Sequence, residues 1–134
     1  MLGIKLYPAI VARGFVVSLL LVASAAPALS AGDPVAGQHS FAARCAMCHS
    51  TTAGDNKIGP SLAGAFGSPS GSVPGFNYSS ALKSAHLTWD DATLDKWLQN
   101  PSAVVHGTTM FINVPNGDDR HNLIAYLKTL SPKQ

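Results

Sequence analysis

Charge is scarce in this chain. Lysine, arginine, aspartate and glutamate together make up 12% of its 134 residues, and glutamate is missing altogether. A typical soluble domain carries about twice that fraction. Residues 1–31 explain the shortfall, because their only charges are Lys5 and Arg13. From Gly32 onward five lysines and two arginines face seven aspartates, so this part is formally neutral although the whole chain carries +2. A neutral body excludes nucleic-acid binding, which needs a basic face. Cysteine is equally scarce: Cys45 and Cys48 are the only two. That number excludes a multi-bridge disulfide framework and a zinc site built on two cysteine pairs. No internal repeat and no low-complexity block appears, and no alternating run is long enough for a convincing strand.

The N-terminal quarter reads as a leader. Lys5 and Arg13 form a basic start, Phe15 to Ala26 is an apolar run, and Pro27-Ala28-Leu29-Ser30-Ala31 is a small-residue stretch open to a signal peptidase. The cut could follow Ala28, Ser30 or Ala31. The apolar run is short for a membrane span. An uncleaved N-terminal anchor competes with this reading, but few residues separate the run from the following domain. The expected division is therefore a signal peptide at 1–31, one domain at 32–134, and a periplasmic location.

The mature part predicts helices joined by long loops. Asp33-Pro34 opens the first: Asp caps free amides, and Pro at the first helical position loses no hydrogen bond. Gly37, Phe41, Ala42 and Cys45 follow at helical spacing. Residues 50–77 are rich in Gly, Ser and Pro and predict loops. A short helix is expected at Ser79–Ser84, another at Thr88–Asn100 ended by Pro101, and a last one at Asp118–Leu130. So much loop around so thin an apolar core requires something to wrap around.

Cys45-Ala46-Met47-Cys48-His49 supplies it. This is the pattern that attaches haem c. Two residues between the thiols place both sulfurs along one porphyrin edge, where each adds to a vinyl group. The adjacent histidine can then reach the iron. Zinc would need four ligands, and the segment offers three at most. A redox-active pair would sit at a helix N-terminus, whereas this one ends a helix. The pattern gives one axial ligand. The candidates for the second are Met110, Met47, His39, His86, His106 and His121.

Several blocks, in order, resemble the class I cytochrome c family, which includes mitochondrial cytochrome c and bacterial cytochrome c2. They are Gly32-Asp33 with Gly37, the Cys45–His49 segment, Gly59-Pro60-Ser61-Leu62 through Gly67, and Pro74-Gly75-Phe76-Asn77-Tyr78. Leu87-Thr88-Trp89, Leu94 through Pro101, Gly107-Thr108-Thr109-Met110 and Arg120 through Leu127 complete the set. The resemblance spans essentially all of 32–130. It implies an all-α fold of four to five helices and long loops around one covalent haem. It further implies thioethers at Cys45 and Cys48, His49 and Met110 as axial ligands, and a Pro60 carbonyl orienting the His49 ring. Tyr78 and Trp89 would hydrogen-bond a propionate, Trp97 would line the pocket, Thr108 would steady the Met110 loop, and Gly37 would pack near Tyr126.

The chain also departs from the family. Trp97 stands where a tyrosine is usual, Ser68 replaces an arginine, Leu82 an asparagine, and His106 a proline shortly before the distal methionine. Ser102, Ala103 and Thr109 occupy positions where lysine is frequent, while Arg44 and Lys57 remain near the expected rim. The docking surface should be more apolar and less salt-sensitive.

The function implied is that of a soluble, monomeric, single-haem electron carrier, not an enzyme. Its partners would be membrane redox complexes of a respiratory chain or periplasmic dehydrogenases, met in transient complexes. The competing class, a small haem enzyme or gas sensor, requires an open coordination position and hence a labile Met110.

Overall fold

The computed structural model describes Gly3 and residues 31–131, so the leader reading falls almost wholly outside the described residues. Among the described residues five helices form in the order α1 (Pro34–Arg44), α2 (Ser80–Lys83), α3 (Asp91–Gln99), α4 (Pro101–Val104) and α5 (Gly117–Thr129). Among the described residues, β structure is limited to one antiparallel bridge between Pro69 and Thr88. None of the described helices is long and apolar enough to cross a membrane. The architecture is all-α, with long loops between the helices.

Each helix start carries a side-chain cap that satisfies an otherwise orphaned amide. Asp33 accepts from the Val35 amide, Ser79 from Leu82, Asp90 from Thr93, Asn100 from Ala103 and Asn116 from Asp119. Two boundaries differ from the expected ones. The third helix begins at Asp91 rather than Thr88. Trp89 is held out of it by two backbone bonds, donating to the Ser68 carbonyl and accepting from the Gly67 amide, both at 3.0 Å. Pro101 does not lead straight into a loop. Asn100 closes α3 and, with its backbone extended, caps α4, which Pro101 begins from the N1 position.

α1 crosses α5, and glycine decides how closely. A methyl group on Gly37 would overlap the Asn122 carbonyl and lie 2.8 Å from Tyr126 Cβ. Without it the two backbones touch, and Phe41 meets the Tyr126 ring at 5.6 Å. The Asp33 amide adds a 2.7 Å bond to the Asn122 side chain. Phe41, Leu94, Trp97, Leu98, Leu123 and Leu127 form the centre of the core. These same six side chains also line a cavity of about 450 Å³. The apolar residues of α1, α3 and α5 thus converge on a space rather than filling one another's gaps.

The 50–79 loops are fastened rather than loose. Asn56 joins two of them, its amide donating to the Pro74 carbonyl at 3.0 Å and its oxygen accepting from Ser61 N–H at 3.0 Å. Leu62 donates to the Ser50 carbonyl, and Gly64 to the Leu130 carbonyl at the end of α5. These bonds fold the loops around the cavity as one wall of it.

Candidate haem site

Cys45 follows the last residue of α1, and the chain then turns tightly: Cys48 and His49 amides both donate to the Cys45 carbonyl, at 3.0 and 2.9 Å. The turn brings Cys45, Cys48 and His49 onto one cavity wall while Met47 points to solvent, 83% exposed. Both cysteines are free thiols.

His49 is held by its ring. Nδ1 lies 2.8 Å from the Pro60 carbonyl oxygen. An oxygen of that kind only accepts, so Nδ1 carries the proton and Nε2 keeps its lone pair. Burial pushes the imidazole below its ordinary pKa, and the Pro60 bond opposes this only in part. The ring is therefore neutral at pH 7 and a competent ligand. Gly59 makes room for it, because a methyl there would run into the ring, with Nδ1 at 2.7 Å.

Met110 is held from two sides. Its amide donates to Thr108 Oγ1 at 3.3 Å, which braces the loop between α4 and α5. Its sulfur accepts from Trp97 Nε1–H at 3.2 Å. A thioether sulfur has two lone pairs, so one remains for another partner. Trp97 is itself fixed, 6% exposed and edge-on to Trp89 at 5.1 Å.

Tyr78 and Trp89 reach the same cavity. The Val73 amide donates to the Tyr78 phenol oxygen at 3.3 Å, leaving the phenol proton free to be given elsewhere. Burial pushes this phenol up, the Val73 bond lowering it in part, so it stays protonated at neutral pH.

All nine residues singled out in the sequence, Cys45, Cys48, His49, Pro60, Tyr78, Trp89, Trp97, Thr108 and Met110, line this single cavity. His39, His86, His106 and His121 do not. The first three are exposed, and His86 sits in a left-handed turn with φ 50°. His121 is half-buried, with Nδ1 unpartnered and Nε2 3.9 Å from Asp95. Other participants escaped the sequence reading. Asn56 is a polar residue in a loop whose stapling partner lies 18 positions away. Ile58, Phe111 and Ile112 line the cavity while remaining exposed; a large apolar residue inside a Gly- or Pro-bearing loop is the one signal that marks them.

The donor set fits a haem. Two free thiols, a neutral imidazole with its Nε2 lone pair and a thioether with a lone pair to spare border one largely apolar cavity.

The cytochrome c family model matches residues 34–131. The chain is 49% identical over 106 residues to cytochrome c2 of Rhodomicrobium vannielii, covering 78% of this chain and 84% of that protein. It is 45% identical over 100 residues to cytochrome c of Euglena viridis, covering 74% of this chain and 98% of that one. Among solved structures, cytochrome cH from Methylobacterium extorquens matches with a TM-score of 0.68 at 41% identity, covering 73% of this chain and 99% of that chain.

Proposed function

The chain belongs to the cytochrome c family, and from that premise we propose that it carries single electrons between redox partners in the periplasm, with His49 and Met110 as the axial ligands of its iron. It is an electron-transfer protein rather than an enzyme, and it binds one haem c covalently through Cys45 and Cys48. Bound there, the haem supplies a one-electron Fe(II)/Fe(III) couple.

The observation that carries the ligand assignment is the pair of restraints behind the two donor atoms. Pro60 holds the His49 proton on Nδ1, leaving Nε2 to bind metal. Trp97 takes one Met110 lone pair, orienting the other. Both restraints come from the protein's own side chains and backbone, so little need move between oxidation states. Tyr78 and Trp89 offer an O–H and an N–H to a propionate, and Thr108 keeps Met110 in reach. Were His49 and Met110 both to hold the iron, no position would be left for a substrate, which favours a carrier over a gas sensor. The apolar leader and its small-residue end support export, and the neutral, single-domain body suits a monomer meeting membrane redox complexes of a respiratory chain or periplasmic dehydrogenases.

The test is spectroscopic. Purified holoprotein is titrated potentiometrically with optical detection, then exposed to carbon monoxide and cyanide. A reversible one-electron wave, the weak far-red band of methionine–Fe(III) ligation, and slow or absent ligand binding are expected. Met110→Ala should abolish the band and admit carbon monoxide. If that variant kept the wild-type spectrum, the ligand assignment would be wrong.

A further inference from the structure

A buried charge on α5 stands outside the haem cavity. The Arg120 side chain is 10% exposed, yet it forms no part of the cavity wall. A guanidinium withdrawn from water is costly unless it is paired and hydrogen-bonded. Arg120 is both. Its Nε donates to Asp95 Oδ1 on α3 at 2.7 Å, and one terminal nitrogen donates to the Val114 and Pro115 carbonyls at 3.0 and 2.7 Å. His121 stands 3.9 Å from the same Asp95 oxygen, beyond hydrogen-bond reach, so Arg120 is the partner that holds this carboxylate.

The two carbonyls that Arg120 takes end the segment that carries Met110. That segment leaves α4 at Val105 and reaches the α5 cap at Asn116. Its first half is fastened by the Thr108 amide on the Val105 carbonyl and by the Met110 amide on Thr108 Oγ1. Phe111, Ile112 and Asn113 then run exposed, and among the described residues the next one held by hydrogen bonds is Val114. Val114 is 1% exposed, and its amide donates to the Leu98 carbonyl of α3 at 2.7 Å. Pro115 has no amide to give, and Arg120 takes its carbonyl. Asp95, Trp97 and Leu98 thus work from one stretch of α3. Trp97 donates to the Met110 sulfur, Leu98 accepts from Val114, and Asp95 neutralises the cation that grips Val114 and Pro115.

We propose that Arg120, neutralised by Asp95, is a positioning residue for the distal ligand: by clamping Val114 and Pro115 to α3 it keeps the Met110 thioether from leaving the iron. The inference rests on the reading of Met110 as that ligand and adds what holds it in place. With the clamp intact, both ends of the segment are tied to the helix whose Trp97 orients the sulfur. With the clamp broken, the Leu98–Val114 bond is left, a single neutral bond in place of three charge-assisted ones. The exposed stretch from Phe111 to Asn113 buries too little to supply a second hold.

The test mixes ferric holoprotein with imidazole, which can bind only while Met110 is off the iron. Loss of the far-red methionine band gives the rate, and at saturating imidazole that rate is the rate of Met110 release. Arg120→Gln should raise it by about tenfold or more, as loss of hydrogen bonds from a charged group does. Asp95→Asn should raise it less, and should add nothing in the Arg120→Gln background, because it acts through Arg120. Arg120→Lys keeps the charge but not the fork of donors and should recover only part of the hold. Hydrogen exchange at the Val114 amide should quicken in the same variants, a readout that does not pass through the iron. Lys128→Ala, which breaks a second ion pair between α3 and α5, with Asp91, should leave the release rate within about twofold of wild type. Gly37→Ala, which loosens α1 from α5, should do likewise. Asp95→Asn carries the same test should Arg120→Gln fail to accumulate as holoprotein. An unchanged release rate in the clamp variants, even with faster Val114 exchange, would overturn the proposal. So would an equal acceleration in Gly37→Ala, which would make the effect one of general stability. Met110→Ala separates the two readings: if it keeps the far-red band, the ligand assignment itself falls; if it loses the band while the clamp variants release Met110 at the wild-type rate, the clamp alone falls.

Discussion

Replacing Trp97 by phenylalanine removes the one donor that reaches the Met110 sulfur and leaves most of the ring packing in place. In the structure Nε1–H points at Sδ from 3.2 Å, and the indole is 6% exposed, wedged edge-on against Trp89. Two effects follow, and they are separable. Stability falls because a buried bond is lost, about 1 kcal/mol, and because a smaller ring leaves a gap, about 1–2 kcal/mol more. The potential falls for a different reason. The indole proton carries partial positive charge beside the sulfur and so disfavours the extra positive charge of Fe(III). If the bond differs by about 0.5–1 kcal/mol between oxidation states, its removal lowers the potential by about 20–40 mV, since 59 mV corresponds to a tenfold change in a one-electron equilibrium. Potentiometric titration with optical detection reads this directly, and denaturant melts of the holoprotein read the stability. Trp97→Tyr keeps a donor on a smaller ring and should recover much of the potential but less of the stability. An unchanged or raised potential in Trp97→Phe, or a Tyr variant indistinguishable from Phe, would refute the role given to this bond.

Gly59→Ala should drive the His49 ring off the Pro60 carbonyl, because the new methyl would overlap the ring; the yield of low-spin holoprotein, read from its visible spectrum, should drop sharply while the chain is still exported. Gly37→Ala should part α1 from α5, since the obstruction is the Asn122 backbone, which cannot rotate away; a loss of about 2–4 kcal/mol is expected in denaturant melts. Asp90 caps α3 through Thr93, whose amide donates to it at 2.8 Å, and this bond holds its carboxyl below the ordinary 3.8. Its contribution is therefore complete above that ordinary value and disappears as the pH falls through the lower folded value. Holoprotein stability followed from neutral to strongly acid pH should show this loss, and Asp90→Asn, which can still cap, should flatten that part of the profile.

Much of the fold was legible because its signals are local. Asp33-Pro34, Ser79 and the Asp118–Asp119 pair act within one helical turn, so the short stretch of sequence around each contains both partners. The Thr88 start failed for the opposite reason. Thr88 and Trp89 follow a helical pattern, but Trp89 bonds to Ser68 and Gly67, and Leu87 accepts from Ser70, so that Thr88 lies opposite Pro69, some twenty residues away. Pro101 was correctly seen to stop α3. That Asn100 could end one helix and begin the next depended on its extended backbone, which no composition rule specifies.

Within the site the same division holds. The spacing of Cys45, Cys48 and His49 is a covalent matter: two thiols and an imidazole on adjacent turns of one chain can address one porphyrin edge whatever surrounds them, so the sequence alone determined the cofactor. The sequence also determined the neutrality of the body and the scarcity of lysine. The resemblance already named Pro60 and Thr108 as restraints on the donors, but only the tertiary structure decided which further residues, distant along the chain, meet. It brings Trp97 to Met110 across thirteen residues, Asp119 to Arg44 across seventy-five, and the Asn122 backbone against Gly37. Those pairings exist because α1, α3 and α5 close around a shared cavity, and closure of that kind is a property of the whole packed chain.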